Sequence, residues 1–271
     1  MVRFGKWEIY HKKVLESGRF GILYIKILGC VSLTAYNFFY HFKRAISRIS
    51  FSTVLDAGCG KGDFTFYLAE KFPQAHITGW DLSDPNLHEL GDNIPTCNRI
   101  REISGLKNTE FHAKDLRDLD AKDKYDFIFS IHVLEHIPNN QKVLENFYRA
   151  LKPNGYLHIQ MPSDIEMKPF FPKFLFRKLE EWSEEEHIGE VYSLSELTKK
   201  LEEMGFQILE ARTDGGFLQA FAWQVGEILV SHRLTLLYGL FLPVLKVLTY
   251  LGNLLIDDGK GSLVILAQKI E

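Results

Sequence analysis

The densest chemistry in the sequence is the run Asp56-Ala57-Gly58-Cys59-Gly60-Lys61-Gly62-Asp63. Its alternate glycines allow a sharp turn and a backbone that a ligand can approach closely. Asp56, at the end of the preceding strand, offers a partner for a cationic group. Twenty-one residues after Gly60 comes Asp81, in Gly79-Trp80-Asp81-Leu82-Ser83. An acid at the end of the second strand can accept hydrogen bonds from both hydroxyls of a ribose. A dinucleotide turn needs the spacing G-x-G-x-x-G, which glycines at 58, 60 and 62 do not give, and a diphosphate would not favour Asp56. A P-loop is excluded, because no Gly-Lys-Ser/Thr follows four spacers.

These residues need elements to hold them. Strands are expected at Thr53–Asp56, His76–Asp81, Glu110–Ala113, Tyr125–Ile131, Tyr156–Met161, Phe206–Ala211 and Leu263–Gln268. Helices are expected at Asp63–Phe72, around Asn98–Ser104, at Asn139–Leu151 and at Ser193–Met204, the last with Ser193 and Gly205 as caps. Strands alternating with helices imply a mostly parallel sheet covered on both faces, which binds ligands beyond the carboxyl ends of its strands.

With the turn, Asp81 and two later segments in place, the chain resembles the class I S-adenosylmethionine-dependent methyltransferases, in particular the type 11 group that includes small-molecule and quinone-biosynthesis enzymes. Val133-Leu134-Glu135-His136-Ile137-Pro138 is similar to that group's Leu-Glu-His-hydrophobic-Pro segment, and Leu151-Lys152-Pro153-Asn154-Gly155-Tyr156-Leu157 to its Leu-Lys-Pro-Gly-Gly-x-Leu turn, with Asn154 for the first glycine. The resemblance covers roughly residues 50–215 and the last strand. It implies an α/β, Rossmann-like, seven-stranded, mostly parallel sheet with helices on both faces. It also implies S-adenosyl-L-methionine as cofactor and S-adenosyl-L-homocysteine as product. By position, Gly58, Cys59 and Gly60 would line the methionine and ribose part. Asp81 would take the ribose hydroxyls, Leu82 the adenine face, and Asp115 with Leu116 the adenine edge. Ser130 and His132 would lie beside the methionine and the reacting methyl. A sulfonium and an ammonium suit a site edged by acids such as Asp56. Methyl transfer then rests on alignment and desolvation, with a base wherever the acceptor loses a proton.

Two histidines are candidates for that base, since their charge changes near neutrality: His132 and His187. His187 belongs to a stretch, Glu184 to Ser193, that resembles the lead-in to the helix before the sixth strand, which borders the acceptor pocket in relatives. His136 reads as a structural hydrogen-bonder. The fourth strand ends Ser130-Ile131-His132-Val133, whereas the branches of the resembled family that methylate DNA bases or glutamine amides carry Asn/Asp-Pro-Pro-aromatic there, so the resemblance implies neither as acceptor. No metal-ligand cluster is visible, and the three cysteines fit a reducing compartment.

The chain has 271 residues, 46% hydrophobic and 25% charged, with a net charge of −3, which gives no general attraction to nucleic acid. Residues 1–50 carry nine Lys/Arg and two Asp/Glu, a basic helical extension ahead of a methyltransferase domain at 51–271. Between the last two strands lies an insert, 215–261, read as helices Phe217–Ser231 and Leu234–Leu255, the second bent or interrupted near Pro243. Apolar side chains make up 26 of the 40 residues from Phe217 to Ile256. Pro162–Phe176, with four Phe and three Pro, reads as a further apolar element. Three uses suit the insert helices: capping a lipophilic, lipid- or quinone-like acceptor, shallow membrane docking aided by the basic leader, or a core or homodimer contact. The expected function is methyl transfer to a small, apolar acceptor, in the cytoplasm or peripherally at the inner membrane face. The rivals are a polar-metabolite methyltransferase whose apolar helices dimerise, and a non-catalytic S-adenosylmethionine-binding module.

Overall fold

The computed structural model describes residues 4–6, 18–82, 93–164, 169–176, 188–214, 216–255 and 261–270. Seven strands form one sheet: β1 (Thr53–Ala57), β2 (His76–Asp81), β3 (Thr109–Ala113), β4 (Tyr125–Ile131), β5 (Leu151–Pro162), β6 (Phe206–Thr213) and β7 (Ser262–Lys269). Their order is β3-β2-β1-β4-β5-β7-β6. Strands β1 to β5 pair in parallel, and β7 runs antiparallel between β5 and β6. The order reverses between β1 and β4, which leaves a crevice beyond their carboxyl ends. The expected sheet is therefore present, and α7 (Phe217–Ser231) and α8 (Thr235–Leu254) stand between its last two strands.

The other helices are α1 (Gly18–Leu28), α2 (Leu33–Ile46), α3 (Asp63–Lys71), α4 (Asn93–Ser104), α5 (Asn140–Ala150) and α6 (Leu194–Glu203). Helix α2 lies on one sheet face, where Phe42 is fully buried against Phe127 and Phe129. On the other face, Leu144 and Phe147 of α5 and Leu197 and Leu201 of α6 join the core around Leu55, Ile128 and Leu157. Serine caps start two helices. Ser32 accepts from Ala35 N at 3.1 Å, and Ser193 forms a reciprocal capping box with Glu196.

Three expectations shift. Helix α4 starts at Asn93, five residues early, because Pro95 falls in the first turn, where a missing N–H forfeits no intrahelical bond. Strand β5 starts at Leu151: Leu151 pairs with Tyr125, the register then shifts, and Asn154 takes a φ of +63° inside the strand. Helix α8 is uninterrupted through Pro243. A helical proline leaves the carbonyl four residues earlier without its donor. That carbonyl is Gly239 O, and Tyr24 Oη donates to it at 2.6 Å. Within Pro162–Phe176 the described residues outside β5 hold one short 3-10 turn, Lys173–Phe176.

Candidate active site

The turn after β1 is fixed from both sides. Gly58 N and Cys59 N donate to Trp80 O at 2.8 and 2.9 Å, binding the turn to the end of β2. Gly58 has a φ of +89°, and a Cβ on it would lie 2.2 Å from Val133 Cγ2, so only glycine fits. Gly60, with a φ of +51°, has nothing within 4 Å of where its Cβ would stand. Its missing side chain leaves open space on the cavity side. The thiol of Cys59 is buried against Cys97, and burial pushes its pKa up.

Asp81 ties the turn to α4. Its Oδ2 accepts from Gly60 N at 2.7 Å and its Oδ1 from Asn93 Nδ2 at 3.2 Å. A carboxylate has about four acceptor positions, so sites remain for further donors. Burial raises its pKa against those two hydrogen bonds. Asp56 is more deeply buried. Its carboxyl is pushed up to about 7 by burial, with the charge of Asp81 adding to the rise and the Thr65 hydroxyl, which donates to Oδ2 at 2.6 Å, opposing it.

These groups border one cavity of about 450 Å³, lined by Asp56, Gly58, Cys59, Gly60, Asp81, Leu82, Asp115, Leu116 and His132, and closed by Phe4 and Ala35 from the N-terminal region. Nine of the eleven site residues expected from sequence thus meet in one place. Ser130 is buried beside it but is not part of the lining, and its hydroxyl has no partner among the described residues. His187 lies outside the described residues. Asp115 is present at the cavity wall but already engaged: it caps a 3-10 turn through Arg117 N at 2.8 Å and pairs with the Arg117 guanidinium at 2.6 Å. That guanidinium lowers the Asp115 pKa.

His132 stands at the boundary of this cavity with a second one, of about 250 Å³. The second cavity is bordered by Phe38 of α2, Gln219 and Trp223 of α7, Pro162, Asp214 and Ser262. The backbone of His132 is left-handed, with a φ of +53°, and its N–H donates to Gln160 O at 2.8 Å. Its ring stacks on Phe38 with centroids 3.9 Å apart. Nε2 lies 3.2 Å from Ser262 Oγ, and Nδ1 lies 3.1 Å from Glu135 Oε1. Glu135 is fully buried, and its carboxylate receives no aligned hydrogen bond from the described residues. His136 Nε2 is 3.9 Å from the same oxygen.

Sequence reasoning missed Glu135, Phe38, Asn93 and Ser262. The i, i+3 spacing of His132 and Glu135 was a usable signal. Asn93 opens the helix that follows β2, 12 residues after Asp81, while Phe38 and Ser262 reach the site from elements distant in sequence. Among the described residues, no group of three His, Cys, Asp or Glu side chains is placed to hold a metal ion.

The residues present suit a cationic nucleoside cofactor. Two buried carboxyls with raised pKa values face the cavity, and open space adjoins Gly60. A family model described as a methyltransferase domain matches residues 34–211, well over half of the chain. Trans-aconitate 2-methyltransferase of Deinococcus radiodurans is 30% identical over 114 residues, 42% of this chain and 39% of that protein. The enzyme of the same name from Azoarcus sp. strain BH72 is 32% identical over 115 residues, 42% of this chain and 41% of its own length. The chain thus matches about two fifths of the length of these relatives. The solved structure of Haemonchus contortus phosphoethanolamine N-methyltransferase 2 in complex with S-adenosyl-L-methionine superposes with a TM-score of 0.61 at 20% identity, covering 100% of this chain and 61% of that one. The [4+2]-cyclase SpnF superposes at 0.59 with 18% identity, over 88% of this chain and 80% of its own. At such identities the likeness is one of fold. Taken with the glycine turn, the sheet order and the family model, it leads to one statement of kinship: this chain belongs to the methyltransferase domain family, with the Rossmann-like fold of its class I members.

Proposed function

We propose that the protein is an S-adenosylmethionine-dependent methyltransferase acting on a small, uncharged, lipophilic acceptor. The observation that carries this reading is His132, one side chain bordering both cavities. S-adenosylmethionine supplies an electrophilic methyl on a sulfonium cation and leaves as S-adenosylhomocysteine. Asp81 would accept from ribose hydroxyls, and Asp56 would face positive charge. His132 would take the proton that a hydroxyl or amine acceptor loses, and Glu135 would hold the imidazole in position and stabilise the imidazolium.

The second cavity supports the acceptor class. Its lining includes the apolar faces of Phe38, Pro162 and Trp223 and, among the described residues, no Lys or Arg. It includes the carboxylate of Asp214, which is buried and accepts from Ser262 N and Asn37 Nδ2 at 2.6 Å each. A tricarboxylate such as trans-aconitate would bring three more negative charges beside Asp214, with no Lys or Arg among the described lining residues to receive them. The matched relatives' substrate is therefore not carried over. The oxygen acceptor Gln219 Oε1, buried without a donor among the described residues, suits an acceptor bearing one O–H or N–H group.

Titration calorimetry with S-adenosylmethionine and S-adenosylhomocysteine tests the first half of the reading. Saturable binding of both is expected, and binding of neither would overturn it. Binding without transfer to any acceptor would favour the non-catalytic module.

A further inference from the structure

We infer that α8 is an interfacial helix that docks this protein flat on an anionic lipid bilayer, independently of what the active site methylates. The outward stripe of α8 is apolar from end to end: Leu236 is 90% exposed, Leu240 71%, and Val244, Val247 and Leu254 each more than half. Over 20 residues that stripe runs about 30 Å. Leu23 and Ile27 of α1 extend it sideways, each more than half exposed. Monomeric surfaces rarely leave so continuous an apolar face in water.

Length and hydropathy would let α8 cross a bilayer, but its inner face is committed to the body of the protein. Tyr24 Oη donates to Gly239 O at 2.6 Å near its start. Lys246 Nζ donates to Cys30 O at mid-helix, and Asn253 Nδ2 to Asn37 Oδ1 at 2.7 Å near its end. Leu242 and Leu245 are buried with Leu33 and Ala222. Crossing would break these contacts along the whole helix. Lying in the interface preserves them and still buries the stripe.

Charge decides the occupant. Lys246, the one charged residue of α8, is turned inward over the Tyr36 ring, so the stripe itself carries none. Exposed Lys26 of α1 and Arg233 in the turn before α8 flank it, and Lys43 is exposed in the last turn of α2, where the neighbouring Arg44 is paired with Glu210. Helices α1, α2, α7 and α8 together contain a single acid, Glu227, whose pKa is raised by burial. A second copy on this face would set two basic rims against each other. Anionic headgroups would pair with the same rim while acyl chains receive the stripe. Helix α7 packs against α8 and contributes Gln219 and Trp223 to the second cavity, so a docked protein would hold that cavity near the lipid.

The test is flotation of the full chain with phosphatidylcholine vesicles, with and without phosphatidylglycerol. A Leu240→Glu/Val247→Glu variant and sedimentation equilibrium run alongside. Both substitutions are at exposed positions, and unchanged circular dichroism and cofactor calorimetry would show an intact fold. Expected is binding to the anionic vesicles that weakens with added salt, with about tenfold or greater loss in the variant. Failure to float with anionic vesicles at low salt would overturn the proposal, as would equal binding by the variant. A dimer that the variant dissolves, with no vesicle binding, would assign the face to a second copy.

Discussion

Glu135 Oε1 lies 3.1 Å from Nδ1 of His132, deep enough that the carboxylate has no exposure to solvent, while Nε2 of the same ring points to Ser262 Oγ at the second cavity. A buried carboxylate without donors is costly unless a cation stands beside it. On the proposed reading, His132 would supply that cation on taking the proton an acceptor loses. Replacing His132 by Ala should lower kcat by about 10²-fold or more. Replacing Glu135 by Gln should lower kcat by about tenfold or more with little change in the cofactor Kd. Steady-state kinetics with calorimetry separates the two quantities, and a fall in cofactor affinity equal to the fall in kcat would assign Glu135 a merely structural part.

Asp81 connects the Gly60 amide to the side chain of Asn93 and presents its remaining lone pairs to the cavity. Asp81→Ala should weaken S-adenosylmethionine binding by more than about 1 kcal/mol through lost ribose hydrogen bonds. Unchanged affinity in calorimetry would move the cofactor site elsewhere.

The pH dependence follows from Asp56. Its folded-state pKa is raised to about 7 by burial, so the neutral carboxyl stabilises the cofactor-free protein. That contribution is fully present below the unfolded-state value and is lost as pH rises through about 7. A cationic ligand prefers the ionised form. Cofactor affinity should therefore rise from about pH 6 to about pH 8, while the Asp56 share of cofactor-free stability falls between about pH 4 and about pH 7 and is flat above. Asp56→Asn should flatten both trends, as calorimetry and thermal melts at several pH values would show.

The two glycines of the turn should separate folding from binding. At Gly58 a methyl group meets Val133 at 2.2 Å, with φ at +89°. Gly58→Ala should cost about 2 kcal/mol or more in urea unfolding. At Gly60 nothing lies within 4 Å. Gly60→Ala should cost about 1 kcal/mol of stability and a larger share of cofactor affinity. Equal effects at both positions would contradict the open space assigned to the ligand.

Most of the sheet was legible from local pattern. Apolar β-rich runs such as Tyr125–Ile131 have few alternatives once turn residues bound them, and the Gly58–Gly62 turn with Asp81 marks the crevice in the sequence itself. The second cavity was not legible, because it is assembled from Phe38 in α2, Trp223 in α7 and Ser262 in β7, which only tertiary packing brings to His132. Of the bend or interruption expected near Pro243, the interruption is absent for a similar reason: the compensating donor, Tyr24, is 215 residues away from the carbonyl it satisfies. Local rules foresaw the proline's cost and had no means to foresee its remedy.

The most direct test of methyl transfer to an uncharged, lipophilic acceptor is label partition. The full chain is incubated with methyl-labelled S-adenosylmethionine and host extract, beside the His132→Ala variant and a parallel reaction supplied with trans-aconitate. The products are then separated into organic and aqueous phases. Label in the organic phase, lost in the variant and absent from trans-aconitate, is the predicted result. Label confined to an aqueous product, or efficient methylation of trans-aconitate, would contradict it.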